Sequence, residues 1–194
     1  MGEPARALPT FEELYREIAA LPQGMTGEIL GPGWLRTMSR PGGRHSRAAW
    51  KTRRALGGSD ILEGGTGWWI EIEREITFGE RLLVPDLAGW RAEGEPDFTD
   101  ENPIPVRPDW VCEILSRSTQ RGDRAIKLPV YAAAGVGHVW IIDPEATTLE
   151  VYASHDAHAV LVDTAIGNVK RTLAPFPDEI DVGGFWKPAP APKA

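Results

Sequence analysis

The chain has 194 residues, 42% hydrophobic and 25% charged, with a formal net charge of −7. That suits one globular domain with a real core; no run of about 18 apolar residues is present to span a membrane, and the single cysteine, Cys112, excludes an internal disulfide or a cysteine-based zinc site within the chain. The acidic balance speaks against binding nucleic acid with the whole surface, and with no charged-then-apolar leader the expectation is a reducing, cytoplasmic setting.

In chain order, Thr10 is placed to cap a first helix, with Glu13 completing a capping box and Leu14 and Ile18 forming an apolar i, i+4 pair before Pro22. The stretch GEILGPGWLRTMSRPGGRH is rich in turn residues and predicts one or two short strands. From Arg44 to Leu56 there is no Gly or Pro, which predicts a helix with Arg47, Lys51 and Arg54 on one face. Between Ile29 and Ser59 there is no Asp or Glu, while Arg36, Arg40, Arg44, Arg47, Lys51, Arg53 and Arg54 all fall there. The acids gather instead at Glu71, Glu73 and Glu75 and from Asp86 to Glu101. This asymmetry fits a cationic wall facing an acidic, metal-loaded centre, and it also fits a solvated basic helix.

GWWIEIEREITFG alternates apolar and acidic residues and predicts a strand. RLLVPDLAGW predicts a second one, interrupted by Pro85 and Asp86, and DWVCEIL a third, after an acidic loop from Ala92 to Pro108. Asp123 is placed to cap a helix running through Lys127 and Tyr131 to Ala134, kinked or split by Pro129 and stopped by Gly135 and Gly137. HVWIID and TTLEVYA flank the turn DPEA as an antiparallel hairpin. Residues 187–194, KPAPAPKA, have too little to bury and predict a disordered tail, leaving residues 1–186 as a single domain. Helices first, then strands with one crossover helix, point to an α+β or mixed α/β sandwich.

Two acids occupy apolar strand contexts, Asp86 in VPDLAGW and Glu113 in VCEIL. Alternation puts Val111, Glu113 and Leu115 on one face of the strand and Trp110, Cys112 and Ile114 on the other. If both faces are covered, each acid needs a partner. Two carboxylates meeting across neighbouring strands repel, and a divalent cation resolves the conflict; hard oxygen ligands without Cys or His favour Mg²⁺ or Mn²⁺. Bonds to backbone or arginine satisfy the same two acids equally well. Lys127 adds a third element, fourteen residues after Glu113 and one turn past Asp123 on the expected helix. Two acids and a lysine are what metal-assisted phosphodiester hydrolysis requires: the acids hold the ion and the lysine orients the water or offsets developing charge.

With these residues in view the chain resembles the PD-(D/E)XK nuclease superfamily, and in detail its Uma-type branch of restriction-endonuclease-like proteins. The matching stretches are LPQGMTGEIL, RPGGRH, GWWIEIEREITFG, VPDLAGWR, PDWVCEILSRST, DRAIKLPVYAAAGVGHVWIIDP and TLEVY, covering most of the chain from Leu21 to Tyr152. The resemblance implies a restriction-endonuclease-like fold with a central mixed β-sheet flanked by helices, and a Mg²⁺- or Mn²⁺-dependent DNA endonuclease. Residue by residue, it makes Asp86 and Glu113 the metal-binding acids. The superfamily lysine two positions after that Glu is here Leu115, and Lys127, on the following helix, stands in its place. Glu28 matches an acid before the first strands that often completes the metal shell, although ending a helix or pairing with an arginine would account for it as well. His45 matches a family histidine, either facing phosphate or positioning water or standing exposed on a basic helix; Glu75 is family-like and read as structural. Arg47, Lys51 and Arg54 are the expected nucleic-acid contacts, and Trp68, Trp69 and Trp90 are candidates to stack bases. Cys112 is core packing. Symmetric cutting of two strands would suit a homodimer. Two other readings stay open: a nuclease fold that grips nucleic acid or a partner without cutting, and a buried structural ion network.

Overall fold

The computed structural model describes residues 7–39, 43–93, 101–116 and 119–186, so Arg40, part of the acidic loop and the Pro/Ala tail lie outside the described residues. The first helix, α1 (Phe11–Ala19), begins as expected. Thr10 Oγ1 accepts from the Glu13 N–H at 3.2 Å, and the Thr10 N–H donates to Glu13 Oε2 at 2.8 Å. A capping box of this kind satisfies two of the four amide donors that a helix N-terminus leaves open. Leu14 and Ile18 then pack against Ile29 and Leu82.

Strands β1 (Met25–Gly31) and β2 (Trp34–Ser39) form a hairpin whose turn uses Gly33 at φ +67°. Helix α2 (Gly43–Ala55) follows, then β3 (Trp68–Ile72), β4 (Ile76–Phe78), β5 (Arg81–Leu83), β6 (Leu87–Arg91) and β7 (Trp110–Ile114). One continuous helical run comes next: α3 (Gln120–Gly122), a π turn over Asp123–Lys127, and α4 (Leu128–Ala133). The chain ends through β8 (His138–Asp143), β9 (Thr148–His155), β10 (His158–Ile166), β11 (Lys170–Thr172), β12 (Glu179–Asp181) and α5 (Gly183–Trp186). The strands form a four-stranded antiparallel sheet, β2-β1-β5-β4, a six-stranded mixed sheet, β10-β9-β8-β7-β6-β3, and the small pair β11-β12. Only β7 and β8 are parallel in the six-stranded sheet, and the helical run is their crossover.

Two expected strands are each divided between the sheets. GWWIEIEREITFG supplies β3 to the larger sheet and β4 to the smaller one, with Glu73 at φ 50° in the corner. RLLVPDLAGW likewise supplies β5 and β6, breaking at Pro85, which has no N–H to extend a ladder. The two corners are tied together, the Glu73 N–H donating to the Asp86 carbonyl at 3.2 Å. Asp86 therefore sits where the chain passes from one sheet to the other.

Strand β7 is covered on both sides, as its pattern predicts. Trp110, Cys112 and Ile114 join one core cluster, Val111 and Leu115 the other. In the first cluster Phe176 stands 5.0 Å from the rings of Trp68 and Trp110 and 5.3 Å from that of Trp140, centroid to centroid. Gly89 on β6 makes room beneath them, since a Cβ there would come within 3.0 Å of Trp110 and 3.3 Å of Trp68. Phe176 comes from the C-terminal segment that sequence patterning leaves unassigned.

Truncating Phe176 to Ala should cost about 3–5 kcal/mol, because it empties the meeting point of three indoles. Urea denaturation followed by tryptophan fluorescence measures this, and a loss under about 1 kcal/mol would mean the cluster collapses onto the gap.

Candidate active site

The crossover helix sets the geometry. Its π turn closes with the Leu128 N–H donating to the Asp123 carbonyl, five residues back. Pro129, in the first turn of α4, has no N–H to return to Ala125, and its ring crowds that carbonyl, so the run accommodates it by widening just before it. Arg124 pins this turn outward, its guanidinium donating to both carboxylate oxygens of Glu150 on β9 at 2.5 and 3.0 Å. Lys127, at the end of the same turn, points inward and is only 4% exposed.

Lys127 Nζ meets groups from both sheets. It donates to Glu113 Oε1 at 2.9 Å and Oε2 at 3.0 Å on β7, and to the Val84 carbonyl after β5 at 3.2 Å. Glu28 Oε1 on β1 lies 2.9 Å away and Asp123 Oδ1 3.9 Å away. Tyr131, one turn further along the helix, donates its hydroxyl to Glu113 Oε1 at 2.5 Å. Glu28 is itself completely buried; its Oε1 accepts the Val84 N–H at 3.0 Å and its Oε2 takes the Arg36 guanidinium. Asp86 spans the gap between β6 and β7: Oδ2 accepts the Ile114 N–H at 2.6 Å, and Oδ1 lies 2.5 Å from His45 Nε2. Asp86, Glu113, Lys127, His45, Arg36 and Asp123 line one cavity of about 470 Å³.

The electrostatics follow from burial with more acids than cations. Burial, the largest influence on Glu113, raises its pKa well above the ordinary value; Lys127 offsets part of this, while Asp123, Asp86 and Glu28 push it further up. Burial alone would discharge Lys127, but Glu113, Glu28, Asp123 and Asp86 together outweigh it and hold the ammonium protonated. Glu28 moves the other way: its burial is outweighed by Lys127 and Arg36, so its pKa is lowered. For His45, too, burial is the largest single influence, yet Asp86, Glu73 and Asp123 reverse it and raise the pKa. The imidazole is thus a proton donor to Asp86. Burial, reinforced by Glu113, pushes Tyr131 well above the usual phenol, which keeps it a donor as well.

A family model described as "Putative restriction endonuclease", Uma2, matches residues 10–181. The chain belongs to this family. A crystal structure described as a putative nuclease belonging to DUF820 from Anabaena variabilis has the same fold, with a TM-score of 0.67 at 20% identity over 92% of this chain and 97% of that one. No curated protein matches the chain.

The family's candidate site residues are brought together here in part. Asp86, Glu113 and Lys127 line one cavity, His45 reaches Asp86 from the first turn of α2, and Glu28 pairs with Lys127 without lining the cavity. Glu28 lies in the middle of β1 rather than before the first strands, opposite Arg36 across the hairpin. Asp123 is not a helix cap. The helix starts earlier, at Gln120 after Thr119, which carries Asp123 inside, where it faces Lys127. Glu75 accepts from Tyr15 and Asn102 at 2.9 and 3.2 Å and also lines the cavity. Trp68 and Trp90 are 3% and 2% exposed and Trp69 is half-buried, so the first two offer no face to a base. Arg47, Lys51 and Arg54 lie further along α2, outside the cavity lining.

Two residues escape the sequence reading. Arg36 is found by folding the hairpin about Gly33, which sets residue 36 against residue 28. Tyr131 lies four residues after Lys127 on one helix, a spacing that puts both side chains on the same face.

Lys127→Met should cost about 3–5 kcal/mol of stability, because it leaves buried Glu113 and Glu28 without their shared counter-charge. Adding Glu113→Gln to that variant should restore part of the loss in a double-mutant cycle; strict additivity would remove the coupling. Glu28 carries its own pH signature. With a folded pKa below its ordinary 4.5, its contribution is present above that value and is lost as pH falls through the folded value. The urea midpoint of Glu28→Gln should therefore fall less steeply than that of the wild type on acidification below about pH 4.5, and parallel curves would contradict the assignment.

Proposed function

We propose that this protein is a divalent-metal-dependent DNA endonuclease, with Asp86 and Glu113 holding Mg²⁺ or Mn²⁺. The observation that carries this reading is the convergence of two buried carboxylates, one at the corner before β6 and one on the neighbouring β7, with one buried lysine in a single cavity. Family membership favours the same chemistry. Among the described residues no three His, Cys, Asp or Glu side chains form a group that would hold an ion alone. The fit is to a hard ion held by one or two carboxylates together with water and phosphate oxygens, which is how Mg²⁺ is usually bound. Oxygen donors without thiolate, and more acids than cations around Glu113, suit such an ion.

When bound, the ion supplies Lewis-acid polarisation of the phosphate and a more acidic water. The chain's own residues do the rest. Asp86 is fixed by the Ile114 N–H, so its carboxylate cannot swing away from the β7 edge. His45 holds a proton against Asp86 Oδ1 and can pass it to a leaving oxygen. Lys127 keeps its charge beside Glu113, where it can orient a water or offset charge growing on the phosphate. Cytoplasmic location and assembly into a two-fold pair belong to the same proposal. Among the described residues no helix is long and apolar enough to cross a membrane.

The non-cutting reading is favoured by one observation: Lys127 already engages Glu113, Glu28 and the Val84 carbonyl, and both Asp86 oxygens have partners. Titration calorimetry with Mg²⁺ and Mn²⁺, beside cleavage of labelled DNA, separates the two. Asp86→Asn and Glu113→Gln should lose both ion binding and cleavage while keeping a cooperative thermal transition. Wild-type cleavage by either variant would remove that residue from the ligand set. A wild-type protein that neither binds an ion nor cuts would belong to the non-cutting reading.

A further inference from the structure

Helix α2 buries one side and exposes another of unusual composition. Ala48, Ala49 and Thr52 are buried against the larger sheet, whereas Trp50 is 54% exposed. Trp68, Trp90, Trp110 and Trp140 are all 3% exposed or less. Arg47, Trp50 and Arg54 follow one another at i, i+3 and i+7, so the indole sits between two arginines on one face, with Lys51 alongside. The Arg54 guanidinium lies over the Trp50 ring, 5.3 Å from its centroid. Arg53, on a different face, is committed to Asp60 at 2.8 Å. Among the described residues no carboxylate pairs with Arg47 or Arg54. The same helix begins at the cavity, where His45 touches Asp86. From His45 to Arg54 is about 14 Å along the axis, a length of several nucleotides.

We propose that this face is a platform for single-stranded DNA, a base stacking on Trp50 while Arg47 and Arg54 hold the flanking phosphates and lead the strand to the cavity. The choice of DNA rests on the endonuclease reading above. Charge complementarity supplies the rest: no Asp or Glu occurs from Ile29 to Ser59, in a chain whose net charge is −7. An exposed indole between cations is how sequence-tolerant single-strand binders combine stacking with a phosphate track. A duplex keeps its bases stacked on one another and offers the ring no face. Asp86 and Glu113 are moreover recessed, 8% and 2% exposed, where a flexible strand reaches more deeply than a stiff duplex.

The test is fluorescence anisotropy of the full chain, in EDTA so that nothing is cut, with a labelled DNA oligonucleotide presented single-stranded, annealed to its complement, or replaced by the RNA strand of the same sequence. The single strand should bind more tightly. Trp50→Ala should weaken that binding by about 5- to 150-fold without changing its salt slope, and Trp50→Phe should recover most of it. Arg47→Ala should instead flatten the log–log salt slope by about 0.7. An abasic spacer opposite Trp50 should mimic Trp50→Ala. Equal binding by wild type and Trp50→Ala, or a preference for the duplex or for the RNA strand, would overturn the platform; the endonuclease reading would stand if Asp86-dependent cleavage persisted. Trp50-dependent binding without any metal-dependent cleavage would sink the endonuclease reading and keep the platform.

Discussion

One ammonium group holds the architecture together. Lys127 Nζ lies between Glu28 of the four-stranded sheet and Glu113 of the six-stranded one, on a helix that belongs to neither. A buried charge in such a place is unfavourable unless every neighbour is matched to it. Three carboxylate oxygens lie within 3.0 Å of it and the Val84 carbonyl within 3.2 Å, a set of acceptors that calls for a charged donor. The two sheets, the inter-sheet corner and the crossover helix are therefore registered on a single atom. A shift in any one of them would leave at least one buried acid uncompensated.

That arrangement also explains why carboxylates persist in a region so thoroughly covered. Glu113 has Lys127 and Tyr131, Glu28 has Lys127 and Arg36, and Asp86 has His45 and the Ile114 amide. Glu28 and Asp86 are each held by donors from two elements and Glu113 by two donors of the crossover helix, so all three carboxylates are held in place by the fold itself. Glu113 is still raised, by burial first and then by Asp123, Asp86 and Glu28, which Lys127 offsets only in part.

Much of this was legible in the residues. The Thr10–Glu13 box, the two-faced pattern of β7 and the DPEA hairpin all follow from local rules, because capping, alternation and tight turns are decided within a few residues. The acids and Lys127 could be singled out because charges in apolar surroundings demand partners. What the sequence left open was set by tertiary structure. Nothing local says that β3 and β4, or β5 and β6, belong to different sheets; Glu73 and Pro85 mark the corners only once the sheets exist. Asp123 reads as a cap because nothing in the sequence distinguishes an outward carboxylate from one carried inside by a helix that starts four residues sooner. Phe176 comes from a stretch without strong periodicity, and its role depends on three tryptophans far away in the chain.

The π turn carries an implication for how such chains can change. An i→i+5 closure holds one residue more than an α turn over the same span, so the run from Gln120 to Ala133 is an α-helix with a single residue let in beside Lys127. Loss of one codon within Asp123–Lys127 would let the helix revert to regular winding at little cost to its own hydrogen bonds. The two ends of the run would keep nearly the same mutual orientation, because the widened turn and a regular α turn sweep almost the same angle. Arg124 could stay on Glu150 and Tyr131 on Glu113, and the loss would be felt through the side chain removed, most of all if it were Lys127 between Glu113 and Glu28. Among related chains this turn should therefore vary in length more readily than the regular windings on either side of it.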